Sequence, residues 1–207
     1  MPRIMVVGIL LAAGASSRMG RPKALLPIGD GLFVTRACAT LLEAGVDDLV
    51  VVAGPEHEAI AGALAAAGLP ARVVENRRRD EGQLSSVLVG LAVADRPGVE
   101  AVLVHLVDVP LVRAGTVRAV MDAFSSTHAP VVRPVAGGRR GHPVLFARRV
   151  FDDLRQADPA VGAKAVVRAH AAEVCDVEVD DEGACRDVDT PEDYARLAAP
   201  GPLHQRG

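Results

Sequence analysis

Apolar runs alternate with amphipathic ones along most of the chain. Ile4–Leu11 is aliphatic without polar alternation, which predicts a strand buried on both faces. Val34–Ala44 places its apolar residues at helical spacing and stops at Gly45, a residue suited to a helix C-terminus. The rhythm continues with a strand over Asp48–Ala53, a helix over Glu56–Ala67, a strand over Ala71–Glu75 and a helix over Gln83–Ala94. Ser85 or Ser86 falls in the first turn of that helix. Ala101–Leu106 predicts another buried strand, running into Asp108. Beyond it, Ala114–Ser125 predicts helix, Ala129–Pro134 extended chain, Val144–Phe146 a short apolar segment, Ala147–Leu154 and Val161–Ala171 helices, and Glu173–Val179 a strand. A last helix over Pro191–Ala198 has Pro in its first turn and Thr190 placed to cap it.

Strands alternating with helices define an α/β fold: an open, mostly parallel sheet covered by helices on both faces. At 207 residues a chain buries about 70% of its unfolded surface, so one core suffices. No internal repeat and no linker divides the sequence. The expected organisation is a single domain over residues 1–199 and a disordered tail over 200–207.

Composition removes several classes of function. Half of the residues are hydrophobic, which excludes a disordered chain. A net charge of −3 and 2% aromatic content argue against nucleic-acid binding. Cys38, Cys175 and Cys185 are too scattered for a disulfide framework or a zinc cluster. Arg3 precedes the apolar Ile4–Ala13 run in the manner of a signal peptide, but Arg18, Arg21 and Lys23 follow where a cleavage region is small and neutral. No apolar run reaches the roughly 18 residues of a membrane helix. A cytoplasmic protein without membrane contact is expected.

Candidate chemistry begins in the loop after the first strand, Leu11-Ala12-Ala13-Gly14-Ala15-Ser16-Ser17-Arg18-Met19-Gly20-Arg21-Pro22-Lys23. Ligands of parallel α/β sheets bind at the carboxyl ends of strands. Small residues let the backbone come close to a phosphate, and Arg18 and Lys23 add positive charge. The loop matches neither Gly-x-Gly-x-x-Gly nor the Walker pattern, which excludes the common dinucleotide and P-loop readings. The alternative is a plain surface loop. At the end of the Ala101–Leu106 strand, Asp108 suits Mg²⁺, which takes one or two carboxylates plus phosphate oxygens; otherwise it caps the helix after Pro110. Asp187 and Asp189 alternate, so either can complete a metal site. Thr190 and Asp193 fit a helix start, and Glu192 and Asp193 favour capping over catalysis.

These motifs resemble the nucleotidyltransferases that act on NTPs, and within them the molybdenum cofactor cytidylyltransferases. Leu11-Ala12-Ala13-Gly14 with Arg18, Gly20 and Lys23 looks like the family's loop around base and triphosphate. Its Ala-Ala-Gly form is similar to the cytidine version, where guanylyl relatives usually carry Ala-Gly-Gly. Asp108-Val109-Pro110 looks like the Asp-x-Pro metal motif, and Asp189-Thr190-Pro191-Glu192-Asp193 like the C-terminal motif. Asn76…Gly82…Ser85-Ser86 resembles the segment around base and ribose, with Arg77 replacing the usual Pro. Arg77–Arg79 either contact phosphate or are solvated. Gly141-His142-Pro143 resembles the Gly-His-Pro motif, which puts His142 on the acceptor side or leaves it structural. His105, inside a strand, reads as a core histidine.

The resemblance implies a Rossmann-like, three-layer α/β/α fold like the nucleotide-diphospho-sugar transferases. It implies Mg²⁺, with Mn²⁺ as a substitute, on Asp108 and Asp189, with Asp187 the less favoured ligand. Arg18, Lys23 and Asp108 become the catalytic set. Leu11, Ala12, Ala13, Gly14, Ala15, Ser16, Arg18, Lys23, Asn76, Gly82, Ser85 and Ser86 become the nucleotide contacts. The implied reaction transfers CMP from CTP to the terminal phosphate of molybdopterin, giving molybdopterin cytosine dinucleotide and pyrophosphate, with a molybdenum hydroxylase as client. The alternatives are a guanylyltransferase for the same cofactor, a cytidylyl- or uridylyltransferase for a sugar or polyol phosphate, and a non-catalytic nucleotide-binding chaperone that delivers the cofactor.

Overall fold

The computed structural model describes residues 4–14 and 20–198; the expected tail over 200–207 lies outside them. The central strands are β1 (Met5–Ala12), β2 (Asp48–Ala53), β3 (Arg72–Glu75), β4 (Val99–Leu106), β5 (Val131–Ala136), β6 (Val144–Ala147) and β7 (Cys175–Glu178). They lie in the order β7-β5-β6-β4-β1-β2-β3, with Arg139–Arg140 pairing alongside β5. Only β6 and the Arg139–Arg140 strand run antiparallel to their neighbours. The mostly parallel sheet expected from the alternation is present. The short hairpin over Pro27–Leu32 and the direction of β6 were not legible in the sequence.

The helices are α1 (Phe33–Ala44), α2 (His57–Ala66), α3 (Gln83–Ala94), α4 (Ala114–Thr127), α5 (Phe151–Gln156), α6 (Lys164–Ala169) and α7 (Pro191–Ala198). Successive strand residues point to opposite faces. Leu10, Leu49 and Leu103 join Phe33, Leu41, Ile60, Val117 and Phe124 in one core layer. Ile9, Val52 and Val104 join Leu84, Leu91, Phe151 and Val166 in the other. Helices α1, α2 and α4 therefore cover one face, and α3, α5 and α6 cover the other. Gly45 ends α1 at φ +97°, as its position predicts.

Two expected helices differ. Ala147 belongs to β6, where it pairs with Ala101, and after a 3-10 turn the helix runs only over Phe151–Gln156. Sheet pairing overrides the local propensity of Ala147. The Val161–Ala171 helix shrinks to Lys164–Ala169. Gly162 at φ +76° and a turn in which Asp158 accepts from the Ala160 N–H at 2.9 Å hold the preceding residues out of the helix.

The sheet order places the functional crevice. From β1 the chain winds outward through β2 and β3, then returns to the other side of β1 as β4. Ligands of open α/β sheets bind at such a switch point, beyond the strand C-termini. Leu11 of β1 stands opposite Leu106 of β4, so the loops leaving both strands emerge side by side. The Val107 N–H donates to the Leu11 carbonyl at 3.1 Å and extends that pairing.

The C-terminal segment is fastened to this edge by Asp181, which is 3% exposed. Its carboxylate accepts from the Arg113 N–H at 2.8 Å, the Thr116 hydroxyl at 2.6 Å and the Gly183 N–H at 3.1 Å. It thus serves the start of α4, the role considered for Asp108. Asp181→Ala leaves those buried donors unsatisfied and is expected to lower stability by about 2–4 kcal/mol. Urea denaturation measures this; a midpoint equal to that of the wild type contradicts the assignment.

Candidate functional site

The site is built at the C-terminal ends of β1 and β4, around a cavity of about 350 Å³. Leu11, Ala12, Ala13 and Gly14 form its β1 side, with Lys23, Gly82, Gln83, Ser86, Asp108 and Asp189 around it. Ala12 and Ala13 are each 3% exposed, so the loop's backbone and methyl groups form the wall. Gly82 takes φ +98°, which favours glycine, and leads directly into α3. The Ser85 N–H donates to the Gly82 carbonyl at 3.2 Å, and the N–H groups before it at the start of α3 favour an anion there. Of the expected nucleotide contacts, Ala15, Ser16 and Arg18 lie outside the described residues.

A charged cluster joins three distant parts of the chain. Lys23 sits in the 3-10 turn Lys23–Leu25, and its Nζ donates to Asp189 Oδ1 at 2.5 Å and to Asp108 Oδ2 at 3.5 Å. The Val188 N–H donates to the Asp108 carbonyl at 2.8 Å, which brings the C-terminal segment beside Asp108. Next to it, Thr190 and Asp193 form a reciprocal capping pair. The Asp193 N–H donates to Thr190 Oγ1 at 3.1 Å, and Asp193 Oδ2 accepts from the Thr190 N–H at 3.1 Å. The Tyr194 hydroxyl donates to the Pro27 carbonyl at 2.9 Å and pins α7. These contacts fix the backbone on which Asp189 stands. Asp187 joins the same negative field but does not line the cavity.

Burial raises the pKa of Asp108. Lys23 opposes the rise, and Asp187 and Asp189 add to it. Asp108 Oδ1 is buried without a hydrogen-bond partner. A hard-oxygen pair of carboxylates with one orphaned buried oxygen fits a divalent cation. Among the described residues no cluster of three or more His, Cys, Asp or Glu side chains is arranged to hold a metal. Two carboxylates plus phosphate oxygens and waters are the set that Mg²⁺ prefers.

The middle loop divides its labour. Asn76, 2% exposed, donates from Nδ2 to both Ser85 Oγ and Ser86 Oγ at 2.9 Å and accepts from the Arg78 N–H at 2.9 Å. Its amide is thus turned into the protein and shapes the loop. Ser85 donates to the Gly82 carbonyl at 2.8 Å, leaving Ser86 as the serine that lines the cavity. The arginine run splits. Arg77 pairs with Glu75 at 2.8 Å and Arg78 with Glu81 at 2.5 Å, both at the surface. Arg79 lines the cavity. Arg79 as the inward member and Gln83 as a lining residue were not singled out by the sequence; the only signal was their closeness to Gly82.

His142 lies in a second cavity of about 730 Å³ that shares Gly82, Gln83 and Leu106 with the first. Its N–H donates to the Ala184 carbonyl at 2.8 Å, and it precedes a cis peptide bond to Pro143. A Cβ on Gly141 would stand 2.4 Å from the Ala184 oxygen, so glycine is required for this approach. Burial lowers the His142 pKa, with Asp108 opposing and Lys164 adding to the fall. His105 is fully buried and, chiefly through burial and then His142, is pushed down to about 3. It is the neutral core histidine its position predicts.

Lys23, Arg79 and two carboxylates gather in a crevice at the switch point, where α/β proteins of this class bind their ligands. The MobA-like NTP transferase domain matches residues 8–174. The chain belongs to that family. It is 36% identical over 209 residues to the nicotine blue oxidoreductase of Paenarthrobacter nicotinovorans, covering 93% of this chain and 96% of that protein. It is 33% identical over 192 residues to a molybdenum cofactor guanylyltransferase of Cereibacter sphaeroides, covering 91% and 93%. The crystal structure of Rv0371c from Mycobacterium tuberculosis superposes with a TM-score of 0.80 at 31% identity, over 95% of this chain and 98% of that one. Rv0371c is also known in complex with manganese. Among the described residues no helix is long and apolar enough to cross a membrane.

Proposed function

We propose that this protein is a metal-dependent nucleotidyltransferase that transfers CMP from CTP to the terminal phosphate of molybdopterin. The observation that carries the reading is the convergence of Lys23, Asp108 and Asp189 beside the small-residue loop after β1. Attack by a phosphate monoester on the α-phosphorus forms one P–O bond as the bond to the β-phosphate oxygen breaks, and pyrophosphate leaves. The nucleophile is already anionic at neutral pH, so no side chain need remove a proton. What the protein must do is align two anions and offset charge on the leaving group. Lys23 and Arg79 are the described cations lining the nucleotide cavity, and the start of α3 adds its N–H groups. Arg18 belongs to the same proposed set. Asp108 and Asp189 would hold Mg²⁺ or Mn²⁺, with Asp187 as outer support. A divalent cation there supplies neutralisation of phosphate charge. His142 faces the acceptor, and a cytoplasmic molybdenum hydroxylase is the proposed client.

Choice of base rests on Ala13. Ala13 lines the cavity, and an alanine in place of glycine adds a methyl group's bulk to that loop, which would favour the smaller pyrimidine ring. Ala13→Gly is expected to shift the CTP/GTP preference toward GTP by about 10-fold, the effect of a methyl-sized change in a pocket. Calorimetric titration with CTP, GTP, UTP and ATP in Mg²⁺ tests both claims. Wild-type preference for GTP overturns the cytidylyl assignment and selects the guanylyl alternative. Pyrophosphate release on adding acceptor tests catalysis, since a delivery chaperone binds nucleotide without releasing it.

A second reading, oxidoreductase chemistry, is favoured by the 36% identical relative of that name. Electron transfer from an added two-electron donor to an added dye acceptor, with no pyrophosphate released from CTP, selects it. The Lys23–carboxylate cluster beside the small-residue loop after β1 supports phosphate chemistry instead.

A further inference from the structure

The second cavity has a lining that differs in kind from the nucleotide cavity. Its walls are aliphatic and aromatic, formed by Leu84, Val87, Val104, Val144, Phe146 and Val167. Among the described residues its uncharged polar side chains are Gln83 and His142. A hydroxyl-rich molecule seated against those walls would lose hydrogen bonds to water on its faces and regain them only at the charged rim and at Gln83 and His142. Charge is equally one-sided. Arg133, Arg140, Lys164 and Arg168 face a single carboxylate, Asp176. Arg133 already donates to Asp176 at 2.6 Å, and Arg140 lies 3.8 Å from it. Lys164 and Arg168 form no ion pair among the described residues. They stand four positions apart on α6, on one exposed face.

Lys164 also lies within electrostatic reach of His142, which in turn feels Asp108. His142 Nδ1 is buried without a partner on the same lining. The cations of α6 and the carboxylate cluster thus bracket one histidine, and the cavity opens to the nucleotide side through Gly82, Gln83 and Leu106. An apolar chamber with an unneutralised cationic rim suits a ligand with a ring-like apolar body and anionic substituents.

We propose that Lys164 and Arg168 are the anion-binding positions of the acceptor subsite, and that this subsite selects a ring-bodied anion over a sugar or polyol phosphate. The inference rests on the nucleotidyltransferase reading for the word acceptor, while the cation-dependent binding stands separately. The two residues are positioning and specificity residues, with no part in holding the nucleotide.

The test uses pterin-6-carboxylate, a fluorescent ring-bodied anion, with glucose 1-phosphate as competitor. Wild type, Lys164→Met/Arg168→Met and the conservative Lys164→Arg/Arg168→Lys variant are titrated, and the affinity of each for CTP in Mg²⁺ is measured in parallel. The wild type is expected to bind the pterin saturably. The methionine pair is expected to weaken that binding about 10-fold or more, the worth of a charge-assisted contact, and the conservative pair is expected to restore most of it. CTP affinity should stay within about twofold throughout, as expected for residues that do not contact the nucleotide. Equal pterin binding by wild type and the methionine pair overturns the proposal. So does the absence of pterin binding by the wild type, or displacement by glucose 1-phosphate at equal concentration. Failure of every protein to bind any nucleotide overturns the nucleotidyltransferase reading instead, and the pterin titration still decides whether α6 binds anions.

Discussion

Asp108→Asn is expected to reduce turnover by about 10³-fold, in line with losing one principal electrostatic contact to a reacting phosphate. Asparagine keeps the size and shape of the side chain but removes one full negative charge from beside Lys23 and Asp189. The second oxygen of Asp108 is buried and unpartnered, so among the described residues the carboxylate is held by Lys23 alone, at the long distance of 3.5 Å to Oδ2. Burial and the neighbouring Asp187 and Asp189 disfavour the ionised form. The neutral variant should therefore melt at the wild-type temperature or slightly above it, an expected trade of stability for function. Divalent-dependent CTP binding should weaken, while metal-free binding of CTP should change little. Steady-state pyrophosphate release, thermal melting and calorimetry with and without Mg²⁺ measure the three effects. Normal turnover by this variant would remove Asp108 from the catalytic machinery.

Lys23→Met should reduce turnover by about 10²-fold, the lower end expected for loss of one charge donor at a leaving group. It should also destabilise the protein. The side chain is 13% exposed and bridges carboxylates that are 28% and 47% exposed. Its removal leaves Asp108 and Asp189 to repel each other. Solvent at Asp189 screens part of this, so a loss of about 1–2 kcal/mol is expected rather than the larger penalty of a fully buried pair. Lys23→Arg should not restore full activity. A planar guanidinium is bulkier than the ammonium that reaches both carboxylates. A thermal shift without loss of turnover would limit Lys23 to a structural role.

Comparison of Asp108 with Asn76 separates what was legible in the sequence from what was not. Asp108 follows an apolar run, and the carboxyl end of a buried parallel strand is where the ligand crevice of an α/β sheet forms. Asn76 also follows a strand, yet its amide turns inward to Ser85 and Ser86. Only the folded loop reveals that the residues at 85 and 86 use it up. The arginine run makes the same point. Three adjacent, chemically identical side chains diverge because Glu75 and Glu81 capture two of them at the surface. The capping role of Thr190 and Asp193 was readable, since every partner lies within one helical turn. Asp181, which serves α4 from 68 positions away, carried no such local signal.

Local sequence specifies the strand–helix alternation, the buried first and fourth strands, the end of α1 at Gly45, the start of α7, and the core place of His105. Each depends on side-chain period or on neighbours a few positions away, where backbone geometry leaves few choices. Tertiary structure alone decided that β6 enters the sheet antiparallel, that Lys23 meets carboxylates 85 and 166 positions distant, and that α6 sets two cations over an apolar chamber. Those arrangements follow from strand order and from which helix covers which face. Both are fixed by burying the whole hydrophobic surface at once, and no local stretch of residues contains that information.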